Sequence, residues 1–283
     1  MMKDPVVDRR AAHPLRRAMR AALVTLALAG ASGAHAAASV MIWPIDPVIE
    51  SDQRAAALWL ENRDTRPVTL QIRVLGWREE GGEDRYAEDQ SRIAGSPPMA
   101  TVPPGKRQLI RLTRLADSAP GTEEAYRVLI DEIPQPEDDA TSGNAQTQLG
   151  VKFQMHYSIP LFVYGQGVWT KEDPDRKRDP ASAAQPLLGW HVARDGGKRW
   201  LVMTNRGHVH ARITQVAFDV EGERGDIARG LLGYVLPGAQ MRWELPDGVK
   251  LAARPTAASP KLIATVNGKA GVAIELDADD ARQ

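Results

Sequence analysis

The chain has 283 residues, of which 43% are hydrophobic and 25% charged, and 36 Lys and Arg balance 36 Asp and Glu. This composition is typical of a globular protein of one or two domains, not of a disordered or fibrous chain. A formal net charge of zero argues against nucleic-acid binding, which needs a basic surface to neutralise phosphates. Because the chain contains no Cys, disulfide scaffolds, thiol nucleophiles and Cys-ligated metal centres are excluded.

Residues 1–36 have the pattern of a secretory signal peptide. Five Arg from Arg9 to Arg20 precede a short apolar run over 21–29, and Ala34-His35-Ala36 has the small residues that a signal peptidase needs. The alternative is a transmembrane anchor, but the run is well short of the roughly 20 residues that cross a bilayer. We therefore expect cleavage, export and no membrane insertion. The remaining chain has 30 basic and 34 acidic side chains, a net charge of −4.

After the signal, apolar and polar residues alternate with a period of two between Pro and Gly. This period is typical of strands with one face on a core and one in water. Short strands at regular spacing predict an all-β chain built of sandwiches. A brief helical turn at 226–231 is the one helix predicted. The predicted strands are 54–61, 68–74, 106–113, 126–131, 200–204, 212–220, 231–236, 240–245, 261–266 and 272–276.

Two stretches lack any period. Residues 134–148 are polar and predict a mobile loop. Residues 165–186 contain a run of charges and lie between two β-rich parts, so we interpret them as an interdomain linker. A long hairpin loop inside one large sandwich is the alternative. The predicted division is therefore a signal at 1–36, an N-terminal domain at 37–164, the linker at 165–186 and a C-terminal domain at 187–283.

The most regular alternation in the sequence runs from Leu149 to Val163. Large apolar residues occupy the odd positions from 149 to 159, with Lys152, Gln154 and His156 between them. Eleven such residues make a strand about 36 Å long, roughly twice the usual length. Natural proteins normally suppress a long strand edge, because it templates association with other chains. Either the edge of this strand binds another chain as the function of the protein, or the segment is a core strand that happens to be long.

Three segments carry a resemblance to a known family: 95–112, 123–134 and the long strand with its ending Leu161-Phe162. In their order and spacing they resemble periplasmic pilus-assembly chaperones of the chaperone–usher pathway. Residues 43–50 and 55–62 are most similar to the archaic, spore-coat-U-associated branch. Residues 189–194, 204–207 and 233–243 fit the second domain of that branch.

The resemblance implies two immunoglobulin-like β-sandwich domains at an angle, with a cleft between them. It also implies a periplasmic chaperone that binds, stabilises and caps pilin subunits by donor-strand complementation and delivers them to an outer-membrane usher. Such a protein is not an enzyme and uses no cofactor or metal. The side chains expected to enter the groove of the subunit are Val151, Phe153, Met155, Tyr157 and Ile159.

Four further positions belong to the cleft or the interdomain contact by this resemblance. Better-known members anchor the carboxylate of the client with an Arg and a Lys, but the matching positions here hold Asp46 and Pro160, and neither binds a carboxylate. In the better-known members an Arg forms an interdomain ion pair with an acidic residue. Tyr164 occupies the position of that Arg here, and Glu123 matches the acidic partner. Either this branch anchors its client differently, or strand pairing alone sets the register.

Two other classes of function deserve a test. His208 and His210 lie on one face of a predicted strand and His191 on a possible neighbour, so a copper- or zinc-binding exported sandwich is the alternative. A surface adhesin or carbohydrate-binding module is a further hypothesis, because the chain has seven Trp and Trp169 lies outside the strand pattern. The sequence has no Gly-x-Ser-x-Gly, His-Glu-x-x-His or phosphate-loop motif, so catalysis is not expected.

Overall fold

The computed structural model of the protein describes residues 40–134, 154–172, 175–220, 223–246, 248 and 261–277. In this part of the chain the regular elements are seventeen strands and one short 3₁₀ turn at Pro180–Ser182, so the all-β prediction is confirmed. The strands are β1 (Val40–Trp43), β2 (Val48–Ile49), β3 (Ala55–Asn62), β4 (Val68–Glu80), β5 (Glu83–Ala87), β6 (Ile93–Ser96), β7 (Met99–Val102), β8 (Arg107–Arg114), β9 (Glu123–Ile133), β10 (His156–Tyr164), β11 (Leu188–Asp195), β12 (Lys198–Asn205), β13 (Ala211–Val220), β14 (Glu223–Val235), β15 (Gln240–Glu244), β16 (Lys261–Val266) and β17 (Lys269–Leu276).

The N-terminal half is a sandwich of two sheets. One has the order β1-β3-β8-β6, and the other β2-β10-β9-β4-β5 with β7 also paired to β4. The alternation along β4 shows why these sheets pack: Val68, Leu70 and Ile72 are buried while the residues between them are not. Apolar side chains from both sheets meet in one cluster, as a two-layer core requires. Its fully buried members include Leu58, Leu60, Leu70, Ile110, Leu112, Val128, Ile130 and Leu161.

The C-terminal half is a seven-stranded sheet of order β14-β13-β16-β17-β11-β12-β15. Side chains from all seven strands meet in a second core, which includes Trp190 and Phe218. Strands of one sheet can share a core in this way only if the sheet folds over on itself. A bulge in β13 helps it to bend, since the register shifts on both sides of Gln215, whose φ is 52°.

In each half, the side chain of a buried Asn is hydrogen-bonded to the backbone around a turn. The Asn62 amide donates to the carbonyls of Arg66 and Val102, at 2.7 and 2.8 Å. The Asn205 amide donates to those of Val209 and Val235, at 2.8 and 3.0 Å. Each amide thus has both N–H groups bonded and ties the backbone of a turn to that of a neighbouring strand.

The predicted helical turn at 226–231 is wrong. These residues belong to β14, which pairs with β13 through a bulged register. Ile227 and Leu232 pack against the C-terminal core. Hydrogen bonds across the sheet and this packing outweigh the weak helical preference of the local sequence. The predicted loop at 135–148 lies outside the described residues.

Candidate functional site

Strand β10 has a free edge over most of its described length. On one side it pairs with β9 along all nine residues. On the other side β2 pairs with it in parallel, at Phe162 and Val163 alone. The Phe162 N–H donates to the Pro47 carbonyl at 3.2 Å, and successive strand residues point their backbone groups to opposite sides. His156 and Ser158 therefore direct N–H and C=O groups to an edge that no other described strand covers.

A cleft of about 420 Å³ lies beside this edge. Val40, Ile42 and Ile45, from β1 and the segment after it, line one side, and residues 156–159 of β10 line the other. Ile45 is 64% exposed, which is unusual for a large aliphatic side chain next to a core. The free edge is therefore flanked by apolar surface on the opposing sheet.

The structure describes the predicted donor segment from Gln154 onward. Val151 and Phe153 lie outside the described residues. Met155 is half-buried, and its carbonyl accepts a hydrogen bond from the Glu132 N–H at 3.1 Å. Tyr157 packs against the N-terminal core, and Ile159 is part of it, with 7% of its surface exposed. The side chains of Tyr157 and Ile159 thus lie on the face of β10 that packs against the interior of the sandwich.

Two of the four predicted cleft residues, Asp46 and Tyr164, line one pocket together with His210, the partner of Glu123. The Glu123 carboxylate is fully buried and accepts from the backbone N–H of His210 at 2.9 Å and contacts its Nδ1 at 2.8 Å. Tyr164 is buried, and burial raises the pKa of its phenol, whose oxygen lies 3.0 Å from Thr170 Oγ1. Asp46 accepts from Lys171 Nζ at 2.9 Å. Pro160 lies in β10 opposite Arg127.

His208 and His210 of the metal hypothesis lie in the segment between β12 and β13, not on a strand as predicted. The His210 ring stacks on Phe162, with ring centroids 3.4 Å apart and planes 3° apart. His208 is exposed, while His191 lies 3.9 Å from Asp277. Among the described residues, no three His, Cys, Asp or Glu side chains are grouped as metal ligands. The imidazole of His210 is instead part of the contact between the two halves.

Trp169 does not have the surroundings of a sugar platform. It is 8% exposed, and the Arg178 guanidinium lies 5.3 Å from the centroid of its ring. Carbohydrate stacking requires an open aromatic face. The tryptophan is therefore part of the packing of the connecting segment.

The contact between the halves is a cluster of aromatic rings that the sequence does not reveal. Trp77 is its centre: Tyr234 meets it edge-on at 5.3 Å, and Phe162 lies 6.0 Å away. The Arg127 guanidinium lies 3.7 Å from the Trp77 ring. Trp77 also donates from Nε1 to Asp84 at 2.7 Å. We call this group, together with His210, the joint cluster; its residues come from both halves, so it resists their relative motion.

The connecting segment folds back onto the chain around β2. Arg176 contacts Glu50 at 2.7 Å and Asp52 at 2.9 Å, and Arg178 also pairs with Glu50. Charges that the sequence places in a linker are thus bound to acidic residues of the N-terminal half. Several ions in one network hold a segment better than an isolated surface pair does.

Glu79 is a buried carboxyl at the same contact. Its Oε2 accepts from the Leu236 N–H at 2.8 Å. Burial raises its pKa to about 8, with a smaller contribution from Asp84, while the Leu236 hydrogen bond and Arg127 act in the opposite direction. The protonated form is therefore favoured in the folded protein at neutral pH.

Replacing Glu79 with Gln is expected to remove a pH-dependent loss of stability. The folded pKa of about 8 exceeds the ordinary value of 4.5, so the parent gains stability from this group at low pH and loses about 1.4 kcal/mol per pH unit as the pH rises from about 5 to 8. Glu79→Gln lacks this loss. In urea unfolding from pH 5 to 9, the free energy of unfolding of the variant relative to that of the parent should increase until about pH 8. A difference that does not change with pH would contradict the raised pKa of Glu79.

Comparison with known proteins identifies the family. Residues 41–168 match the pili and flagellar-assembly chaperone family, PapD N-terminal domain. The chain is also similar to a chain in the crystal structure of the CsuC–CsuE chaperone–tip adhesion subunit pre-assembly complex from archaic chaperone–usher Csu pili of Acinetobacter baumannii. The identity is 29% and the TM-score 0.64, over 84% of this chain and 98% of that one. Residues 41–168 are therefore a chaperone domain of this family, and the chain as a whole has the fold of a chaperone–usher pilus chaperone.

Other solved chaperones share the two-domain fold. The YadV chaperone has a TM-score of 0.53 at 20% identity, over 83% of this chain and 96% of that one. A chain of the SafA pilin–SafB chaperone complex of Salmonella enterica has 0.51 at 17%, over 85% and 95%. No curated protein sequence matches the chain. The fold class and the archaic branch predicted from the sequence are confirmed, and the metal-binding and adhesin alternatives are not favoured.

The described part of this chaperone contains no helix with the length and apolarity to cross a bilayer. Several residues of the two sites were not predicted as functional: Ile45 beside the free edge, and Trp77, Arg127 and Tyr234 in the joint cluster. His210 was predicted only as a possible metal ligand. Glu123 was predicted as one half of an interdomain pair. Its partner is His210, and no local pattern in the sequence connects two residues 87 positions apart.

Proposed function

We propose that this chaperone binds a pilin subunit by lending it the strand that begins before β10 and runs into it. The observation that carries the proposal is the free edge of β10 beside an apolar cleft. An extended client strand that pairs with this edge would satisfy its backbone groups and those of His156 and Ser158. The matched structures include complexes of a chaperone with a tip adhesion subunit and with a pilin, and these support a pilin as the partner.

The predicted donor side chains divide into two roles. Val151, Phe153 and Met155 enter the groove of the client, and Tyr157 lies at the boundary. Ile159 packs in the core of the chaperone and so holds the strand in place. Burying each of the first three is worth roughly 1.5–3 kcal/mol, which gives on the order of 5–9 kcal/mol in total. That is comparable to the whole stability of a small domain.

The organisation around this strand follows the same proposal. Residues 1–36 export the chain to the periplasm and are cleaved. Residues 37–164 are the chaperone domain, 165–186 the linker and 187–283 the second domain. The chaperone passes its client to an outer-membrane usher and needs no catalytic site or cofactor. The ion pairs of Arg176 and Arg178 with Glu50 support a linker that holds the domains in one arrangement.

Co-expression tests the proposal. The tagged chaperone and a small secreted pilin encoded beside an usher are produced together, and the periplasmic extract is purified on the tag. We expect a 1:1 complex and degradation of the pilin when it is expressed alone. Recovery of the chaperone without pilin, together with a rise in its melting temperature on addition of copper or zinc that His208→Ala abolishes, would overturn it in favour of the metal-binding alternative.

A further inference from the structure

The segment that leads into β2 lies beside the free edge of β10 without pairing with it. β2 begins at Val48, and Ile45 lines the cleft together with residues 156–159. The chain just before β2 is therefore in reach of β10. If the parallel pairing continued backwards from Phe162 with Val48, Asp46 would lie opposite Pro160. That pairing would cover the edge that the proposed function needs.

Two prolines stand at the point where the pairing stops. In a parallel ladder, a residue donates to the residue before its partner and accepts from the residue after it. The Phe162 N–H accordingly donates to the carbonyl of Pro47, one position before Val48. The next step back would need the N–H of residue 160 to reach the carbonyl of Ile45, and the N–H of residue 47 to reach the carbonyl of Pro160. Neither proline has an N–H.

Pro160 is tolerated in β10 for the same geometric reason. It shares the parity of Phe162, so its backbone points away from β9 and no bond of the β9–β10 ladder is lost. Lys171 adds to the separation, because it binds Asp46 at 2.9 Å and holds the segment toward the linker. Both missing donors thus lie on the one edge that stays free.

We propose that Pro47 and Pro160 act as a pair that prevents residues 44–47 from capping β10, and so keep the edge at Ser158 available to a client strand. This inference rests on the proposed function and deepens it. The pair also limits the client ladder: the client pairs with His156 and Ser158, and its last bond in this direction is to the Pro160 carbonyl, which still accepts. Pro47 and Pro160 are positioning residues for the partner strand.

The test variant, Pro47→Ala/Pro160→Ala, replaces both prolines. The control variant is Pro104→Ala/Pro120→Ala, because Pro104 and Pro120 are exposed and lie outside the strands. In the free parent and in the control, the Ser158 amide should exchange with solvent at the rate of an open edge. In the double variant it should be protected about tenfold or more, and association with the pilin should slow by a similar factor. Pro160→Ala alone restores one of the two N–H donors. Its Ser158 protection and its rate of association with the pilin should lie between those of the parent and of the double variant.

The outcomes separate the two proposals. If the double variant is folded and its Ser158 exchange and pilin association match those of the parent, the proline inference is overturned while donor-strand binding stands. Strong protection of Ser158 in the free parent also overturns it. If the parent captures no pilin, the proposed function fails, and the exchange of Ser158 in the free variants still decides the inference. Should the double variant not fold, Pro160→Ala decides by the same two measurements.

Discussion

Replacing Val151, Phe153 and Met155 together with Ser is expected to abolish recovery of a co-expressed pilin. Each apolar side chain loses roughly 1.5–3 kcal/mol of burial in the client, so the affinity should fall by at least about a thousandfold. The chaperone itself should stay folded, because Tyr157 and Ile159, which make the core contacts of this strand in the described residues, are unchanged. Circular dichroism and co-purification measure the two effects separately.

The matched control changes the other face of the same segment, in Lys152→Ser/Gln154→Ser. Gln154 is exposed, and its side chain donates to the Glu132 carbonyl at 2.6 Å rather than packing in the core. This variant should bind pilin within a few fold of the parent. If the two Ser variants recover equal amounts of pilin, alternate side chains do not carry the binding.

Trp77→Ala should weaken the connection between the two halves more than any other single change in the joint cluster. The side chain is 3% exposed and contacts Phe162, Tyr234 and Arg127. Loss of a large buried aromatic side chain costs about 3–5 kcal/mol. Because the ring lies between the halves, scanning calorimetry should show one transition in the parent and two separated transitions in the variant.

Trp59→Ala is the control for this prediction. Trp59 is half-buried in β3 and stacks on Trp43, within the N-terminal half. Trp59→Ala should lower the free energy of unfolding by less than about 2 kcal/mol and leave a single calorimetric transition. A loss of less than about 1 kcal/mol for Trp77→Ala, or an unchanged single transition, would show that the joint cluster does not couple the halves.

The all-β character of the chain is predictable because it depends on local alternation. Residues 68–74 show it clearly, and the structure extends that strand to Glu80. Short or polar strands have no such signal: β2 has two residues, and β5 is almost entirely exposed and forms through its hairpin with β4. The segment 226–231 misleads for the converse reason, since its strand conformation is imposed by β13.

The candidate site is predictable in part. The alternation at 149–159 indicates which face of the donor strand is apolar, and that face looks into the sandwich at Tyr157 and Ile159. The free edge itself depends on where β2 stops, and this requires the register of Phe162 with Val48. The stack of His210 on Phe162 brings together residues from both halves. Such long-range contacts leave no periodic signal in the sequence.

Disulfide formation tests directly whether alternate residues of the donor strand enter the client. The chain has no Cys, so one introduced thiol reports on one position. Met155→Cys and Gln154→Cys are each co-expressed with a pilin that carries a single Cys in its groove, in an oxidising periplasm. The account predicts a cross-linked complex with Met155→Cys and none with Gln154→Cys. Equal cross-linking at both positions, or cross-linking only at Gln154→Cys, would contradict it.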